Sequence, residues 1–450
     1  MTSYNAIFIA FGNFFRQACF FLAQILIANS IGIGSFGLYS ALFSIMLILE
    51  AFGSLGTRMS LWKHIAKKIT INESKIIFYV LARFILAFVF VVIAYFILSI
   101  FNFRESEYLL FFLIIILFNQ STFDWIFLAR GETQKVVSYN MAAGLIYLVF
   151  LYFYFLFYKN ILFLPLIFSL SFLIPGIFLM RKEIFNFRFF NFKTLLRFER
   201  ILIFHSKEYF GYDLIQRLYL SLPIILTFYA TSSSLAGEFR LISLVIMLAV
   251  TLSTSLAFGY FNKIAVHDSK DKNYPISGAI VLIFILVIPL SFYFENIVSI
   301  DFFRGVIPDI IEIENIIYAV NLLGFIAFAN ILRELYVPMG KVIISSISYI
   351  IFFVCFSVLV IYKDASSIIS LINFLVISEA ISLLFMIFMI NTYSLFLRFI
   401  ENLYYDRYII ILLSLICLIS FFLDLGIYSI FMPIVHAIAV QKYITKVRHD

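Results

Sequence analysis

Apolar side chains run along this chain in long, nearly unbroken stretches, and polar ones gather in the gaps between them. The stretches do not alternate apolar with polar residues in ten-residue segments, as the strands of a membrane barrel would. Each is close to the ~20 residues that carry a helix across a bilayer. About fourteen spans are predicted on this basis. They cover 6–28, 36–57, 76–100, 109–129, 137–157, 161–180, 209–230, 237–261, 276–299, 313–337, 342–362, 367–391, 408–423 and 426–441. The last is short enough to be a partial span.

Composition agrees with the pattern. Of 450 residues, 64% are hydrophobic and 13% charged, and the mean hydropathy is +1.08. A soluble domain has about half its residues apolar and about a quarter charged. The expected class is therefore an all-α polytopic membrane protein. The opening MTSYN carries no basic segment, and the first apolar run exceeds the core of a cleavable signal, so that run is expected to stay as a span. Cys19, Cys355 and Cys417 sit far apart in apolar runs and make no CxxC or disulfide framework. The five histidines, His64, His205, His267, His436 and His449, form no ligand pattern, and no phosphate-binding loop is present. No metal, cofactor or ATP hydrolysis is expected on this chain.

Charge sets the orientation. Loops on one side hold twenty-three lysines and arginines, from the 58–75 loop through the 181–207 linker to the C-terminal tail; the other side has only Arg104, Lys159, Arg304 and Lys363. Basic loops stay in the cytoplasm, which predicts that both termini are cytoplasmic. The net charge of +7 is thus a topology signal, not a nucleic-acid footprint. The longest outer loop, about 300–312, is too short to form a domain, so function must reside in the helices.

The linker divides the first twelve spans into six and six. Residues 1–180 form one expected bundle, 208–391 a second, and 392–450 an added pair of spans with the tail. SFGLYSALFSIMLILEAFGSLGTRMSLWKHIA in span two resembles LAGEFRLISLVIMLAVTLSTSLAFGYFNKIA in span eight; a shift of 200 residues places Gly237 on Gly37 and Lys263 on Lys63. QKVVS and GKVII open spans five and eleven. A duplicated unit with an even number of helices predicts halves related by an axis along the membrane normal, with binding between them. The stretch GIGSFG, residues 32–37, matches G-x-G-x-x-G. A dinucleotide turn needs a short strand before it, whereas the run before this one is about 23 residues long and reads as a span. The three glycines are expected in a seven-residue outer turn of a helical hairpin, with Glu50 inside the second span rather than on a ribose.

Ionisable groups inside spans are costly and mark functional sites. Arg16 and Gln17 lie mid-span in the first helix, Arg217 in the seventh, and Asp213 stands four residues before Arg217 on the same face. Glu379 is central in span twelve, with Glu50 and Asp124 nearer the basic side. Arg83, Arg333 and Glu334 either line a cavity or snorkel to the interface. Asp213 and Arg217 are either a structural pair or part of the site. A cationic cavity suits an anionic substrate such as a phosphate. Glu379, Asp124 and Glu50 can hold a coupling ion or pair with the arginines.

The segment SIGIGSFGLYSALFSIMLILEAFGSLG with the basic KHIAKK resembles the opening of the polysaccharide-biosynthesis flippases, within the multidrug/oligosaccharidyl-lipid/polysaccharide exporter superfamily. DWIFLARGETQKVVSYN resembles that family's fourth-to-fifth helix junction, with Asp124, Trp125, Gly131, Glu132 and Lys135 in place. GEFRLIS and MGKVIISS echo these in the second half. The likeness covers most of 1–391 and points to the O-antigen flippase (Wzx-type) branch. It implies two six-helix bundles around a central V-shaped cavity. The substrate would be an undecaprenyl-pyrophosphate-linked oligosaccharide, moved from the cytoplasmic to the periplasmic leaflet of a bacterial inner membrane, driven by an ion gradient (proton or sodium), by membrane potential or by substrate flux. Arg16 and Arg217 would meet the pyrophosphate. Membrane lipids would surround the chain, and a polymerase and a chain-length regulator would be its assembly partners. The chain departs from the family at Leu128 and Ala129, where members often carry Gln and Gly. It also lacks basic residues before the first helix and has two extra spans.

Three other functions remain open from the residues. A drug or cation antiporter of the same superfamily would want an acid where span one has Arg16. A polysaccharide polymerase would want a large outer loop. An acyltransferase would want a supported histidine near the membrane face, and His64 and His205 stand alone. The expectation is a transporter, not an enzyme.

Overall fold

The structure, a computed structural model, describes residues 3–54, 56, 84–85, 87–96, 100, 106–119, 124–158, 160–181, 192–244, 247, 251, 333, 342–363 and 367–389. All regular structure among them is helical. In chain order the helices are α1 (Ser3–Ile31), α2 (Ile33–Ser54), α3 (Ala87–Phe96), α4 (Ser106–Asn119), α5 (Asp124–Arg130), α6 (Thr133–Phe157), α7 (Leu164–Leu179), α8 (Phe192–Ala230), α9 (233–244), α10 (Val342–Tyr362) and α11 (Ile368–Met389). Five of the described helical stretches are long and apolar enough to cross a membrane. The expected spans nine, thirteen and fourteen lie outside the described residues, as does all of span ten except Arg333.

Among the boundaries that differ from the sequence reading, two stand out. The turn at GIGSFG shrinks to one residue. α1 ends at Ile31, α2 starts at Ile33, and Gly32 alone leaves the helix, with φ +82°. Only a residue tolerant of the left-handed region makes so tight a reversal; Gly34 and Gly37 lie inside the first turns of α2. The second difference is in the linker, where 192–207 are helical and continuous with the seventh span. At 1.5 Å per residue α8 is about 58 Å long, roughly twice the hydrocarbon thickness. Its basic first part therefore extends beyond the bilayer.

In the first half, α1 packs along α6, α6 and α4 along α7, and α2 along α4. Small residues allow the closest of these approaches. A Cβ at Gly12 would stand 3.0 Å from Val137 Cα, and one at Gly144 would stand 3.0 Å from Arg16 Cα. The interior is aromatic, with Phe20, Phe43, Tyr147, Phe168 and Phe172 meeting edge to face or tilted. Large apolar side chains, among them Phe157, Phe178, Ile343 and Leu384, point outward. A water-soluble surface would not carry so many; facing lipid, they need no cover.

In the second half, α8 packs on α10 and α10 on α11. A polar knot fixes these helices. Arg333 is wholly buried and makes a bidentate pair with Glu379, Nη1–Oε1 2.6 Å and Nη2–Oε2 2.8 Å. Arg333 Nε donates to Ser348 Oγ at 2.9 Å, and the rings of Tyr349 and Tyr219 flank the guanidinium at 4.7 and 5.1 Å. This overturns snorkelling for Arg333: its charge has a complete set of partners inside the protein, so the interface offers it nothing more. Removing one member of such a pair strands the other charge. Glu379→Ala should lower stability by about 3–5 kcal/mol, read as a lower thermal unfolding temperature of the purified protein in detergent. An unchanged unfolding temperature would contradict the pairing.

Candidate functional site

The two halves meet along α2, which touches the second half at both of its ends. At the Gly32 end, glycine governs the contact. A Cβ on Gly37 would stand 1.7 Å from the Ser233 carbonyl oxygen, and one on Gly237 would stand 2.4 Å from the Ile33 carbonyl oxygen. The 200-residue shift pairs 33 with 233 and 37 with 237. The contact is thus reciprocal, as a twofold axis between repeated units requires. No larger side chain fits at either glycine without parting α2 from α9.

At the other end of α2, toward the basic loops, Glu50 and Ser54 face α8. Arg217 Nη1 donates to Glu50 Oε2 at 2.7 Å and Nη2 to Oε1 at 3.3 Å; Nη1 also reaches the Leu47 carbonyl at 3.0 Å. Arg217 Nε donates to Asp213 Oδ1 at 3.1 Å. Ser54 Oγ lies 2.8 Å from Asp213 Oδ2. The chain then leaves α2 through Gly56 at φ +68°, where a Cβ would stand 2.3 Å from Phe210 N. α2 and α8 are therefore clasped backbone to backbone just beyond the ion cluster.

Between these two ends lies a layer of hydroxyls and one cation. Tyr39 of α2 and Tyr147 of α6 are buried, with their hydroxyls 3.5 Å apart, and Gln24 Nε2 donates to the Tyr147 hydroxyl at 3.5 Å. Arg240 of α9 lies in the neighbourhood of both tyrosines. Its Nε is buried without a hydrogen-bond partner, and among the described residues it meets no carboxylate. From Tyr39 to Glu50 is eleven residues, about 16 Å along the helix. Arg240 and the Arg217 cluster therefore mark two levels of one seam.

The expected site residues divide among these places. Glu50, Asp213 and Arg217 come together. Arg16 is in the first half, where Nη1 donates to Asn140 Oδ1 at 2.8 Å and the guanidinium lies 5.9 Å from the Phe172 ring centre; Asn140 in turn donates to Asn13. Gln17 is partly buried beside it. Glu379 belongs to the Arg333 knot in the second half. Asp124 opens α5, and its side chain lies outside the described residues. Among the described residues no His, Cys, Asp or Glu group of three gathers as metal ligands.

Sequence reasoning missed Arg240, which lay three residues inside the expected start of span eight and so read as a helix end. The helix starts at 233, placing Arg240 about two turns in. Asn13, Gln24 and Asn140 were missed because neutral amides do not stand out in an apolar run.

No protein-family model matches the chain, and no curated protein does. Solved structures do match in fold. The lipid II flippase MurJ in an inward closed conformation superposes with TM-score 0.64 and 14% identity, over 98% of this chain and 99% of that one. An outward-facing multidrug resistance MATE family transporter of the MOP superfamily gives TM-score 0.59 and 12% identity, over 85% and 94%. A MOP superfamily transporter from Pyrococcus furiosus gives 0.60 and 12%, again over 85% and 94%. The chain thus shares the helical fold of these solved transporters.

Proposed function

We propose that this protein is a flippase for an anionic lipid-linked oligosaccharide. Its best candidate substrate is an undecaprenyl-pyrophosphate-linked repeat unit of a surface polysaccharide, moved from the cytoplasmic to the periplasmic leaflet of a bacterial inner membrane. Both termini then lie in the cytoplasm, with the Glu50 cluster at the cytoplasmic end of the seam and the Gly37 contact at the periplasmic end. A membrane polymerase and a chain-length regulator are its proposed partners.

The observation that carries this reading is Arg240. A guanidinium inside the membrane layer, between the halves and facing hydroxyls instead of a carboxylate, is prepared for a phosphate oxygen. The tyrosine hydroxyls and Gln24 add neutral donors of the kind that bind phosphate or sugar. Arg16, held by an amide on the first half, is a second cation for the same group, with Gln17 beside it. Arg217 would join them once α2 withdraws Glu50. Glu379 anchors the second half, and Asp124 stands at the junction after the fourth span.

A drug or cation antiporter of the same fold would need a carboxylate facing the seam without a cation of its own. Here Glu50, Asp213 and Glu379 each pair with an arginine. The test is made in vesicles containing the purified protein. A fluorescent undecaprenyl-pyrophosphate disaccharide should be flipped, as read by its reduction from outside by an impermeant reagent. An organic cation dye should not be moved. Dye transport without lipid flipping would establish the antiporter instead.

A further inference from the structure

We infer that Ser40, Ser44 and Ser221 line a saccharide track between the halves, where the sugars of the carried lipid hydrogen-bond once the seam opens; the identity of the substrate rests on the flippase reading above.

Hydroxyls inside the apolar helices of this chain commonly bond to their own helix. Ser169, Ser171, Thr227, Thr231, Ser357 and Ser378 each donate to a carbonyl three or four residues back, at 2.6–2.8 Å. Ser40, Ser44 and Ser221 do not. They are at most 1% exposed, and their hydroxyls meet no hydrogen-bond partner. A buried hydroxyl without a partner costs stability, so three of them at one contact need a cause. Thr133 and Ser345 share this condition, but one opens α6 and the other lies on α10, which packs on α8 and α11.

The three serines share one surface. Steps of three and four residues run from Gly37 through Ser40, Ser44, Leu47 and Ala51 to Ser54, and so follow one face of α2. Gly37, the Leu47 carbonyl and Ser54 on this face touch the second half. Ser221 follows Asp213 and Arg217 at steps of four on the face of α8 that meets α2. The two helices run antiparallel, since Gly56 meets Phe210, Ser54 meets Asp213 and Glu50 meets Arg217. Ser44 is then one turn beyond Leu47 and Ser221 one turn beyond Arg217, both toward the Gly37 end. Ser40 is a further turn along, next to Tyr39. The orphan hydroxyls thus join the Arg217 level to the Arg240 level.

This column carries no charge of its own. No Lys, Arg, Asp or Glu lies between Tyr39 and Glu50 on α2 or between Arg217 and Ala230 on α8. A pyrophosphate belongs with the arginines at either end. The neutral stretch of about 16 Å between them suits a group that donates and accepts hydrogen bonds without charge. Sugar hydroxyls do both, as serine hydroxyls do. Parting α2 from α8 exposes the column, and the sugars then supply the bonds that the closed seam withholds. Water offers the same chemistry, so the test separates the two.

The test compares two tail-labelled fluorescent lipids, undecaprenyl-pyrophosphate disaccharide and undecaprenyl pyrophosphate without sugar. Their binding to the purified full-length protein in detergent is read by fluorescence anisotropy. The wild type should bind the sugar-bearing lipid about tenfold more tightly, as a few neutral hydrogen bonds provide. The triple variant Ser40→Ala, Ser44→Ala, Ser221→Ala should bind both lipids with the affinity that the wild type has for the sugar-free one. Its unfolding temperature should not fall, because the substitutions break no hydrogen bond; Ser44→Ala alone should narrow the preference in part. A triple variant that keeps the full preference would overturn the inference and leave water as the occupant, as would a wild type without preference. Equal weakening for both lipids would also overturn it, by assigning the hydroxyls to the pyrophosphate or to opening. Preferential binding by a wild type that flips neither lipid in vesicles would instead remove the flippase reading and leave the track as a sugar-binding site.

Discussion

Arg240→Ala should reduce flipping of a pyrophosphate-linked lipid by about ten- to a hundredfold, while the protein reaches the membrane at its normal level. A hydrogen bond to a charged group contributes about 1.5–3 kcal/mol, and each 1.4 kcal/mol is a factor of ten. Removing Arg240 breaks no ion pair among the described residues, so the fold should tolerate it. Arg217→Ala would also stop transport, but it would strand Glu50 and Asp213 at the seam, so a loss there mixes binding with closure. Arg240→Lys should recover part of the activity, because a lysine restores the charge without the planar fork. The measurement is the initial rate of flipping in vesicles, with protein amount determined in parallel. A full rate in Arg240→Ala would remove Arg240 from the binding site.

How much of this was legible in the sequence depends on the kind of side chain. Helices announced themselves because an apolar run of membrane length has no alternative fold. α1, α2, α6, α7, α10 and α11 start and end within a few residues of the spans read from the apolar pattern. The repeat was legible at Gly37 and Gly237 because the packing there tolerates nothing larger. Only the structure shows that these two residues touch across the axis. The turn at Gly32 was overestimated because Gly34 and Gly37 look like loop residues by composition, yet both lie in α2, and Gly37 serves close helix approach. The helical part of the linker was hidden because polar, basic residues beyond the bilayer carry no apolar run to reveal a helix.

The charged groups were legible as individuals and not as partners. Nothing in the spacing says that Glu50 belongs with Arg217, 167 residues away, or that Arg333 takes Glu379. Arg16 and Arg217 occupy matching helices and invited one shared role; they instead stand in different surroundings, one among amides and rings, the other between two carboxylates. Arg240 aligns with Ser40 under the repeat, so the cation facing the seam breaks the internal symmetry.

Passage of the substrate between α2 and the second half requires the Gly37 end of the seam to open. A disulfide placed there tests it directly. A Cβ on Gly34 would stand 3.6 Å from Ser233 Oγ, the atom that a cysteine sulfur at 233 would replace, so the two positions are neighbours as a disulfide needs. In a background with Cys19, Cys355 and Cys417 replaced by alanine, the double substitution Gly34→Cys and Ser233→Cys should cross-link on mild oxidation. The cross-linked protein in vesicles should lose essentially all flipping and regain it when a reductant opens the bond, whereas each single cysteine should leave the rate intact. Flipping at the normal rate by fully cross-linked protein would contradict the account, because the substrate would then cross the membrane without parting α2 from α9.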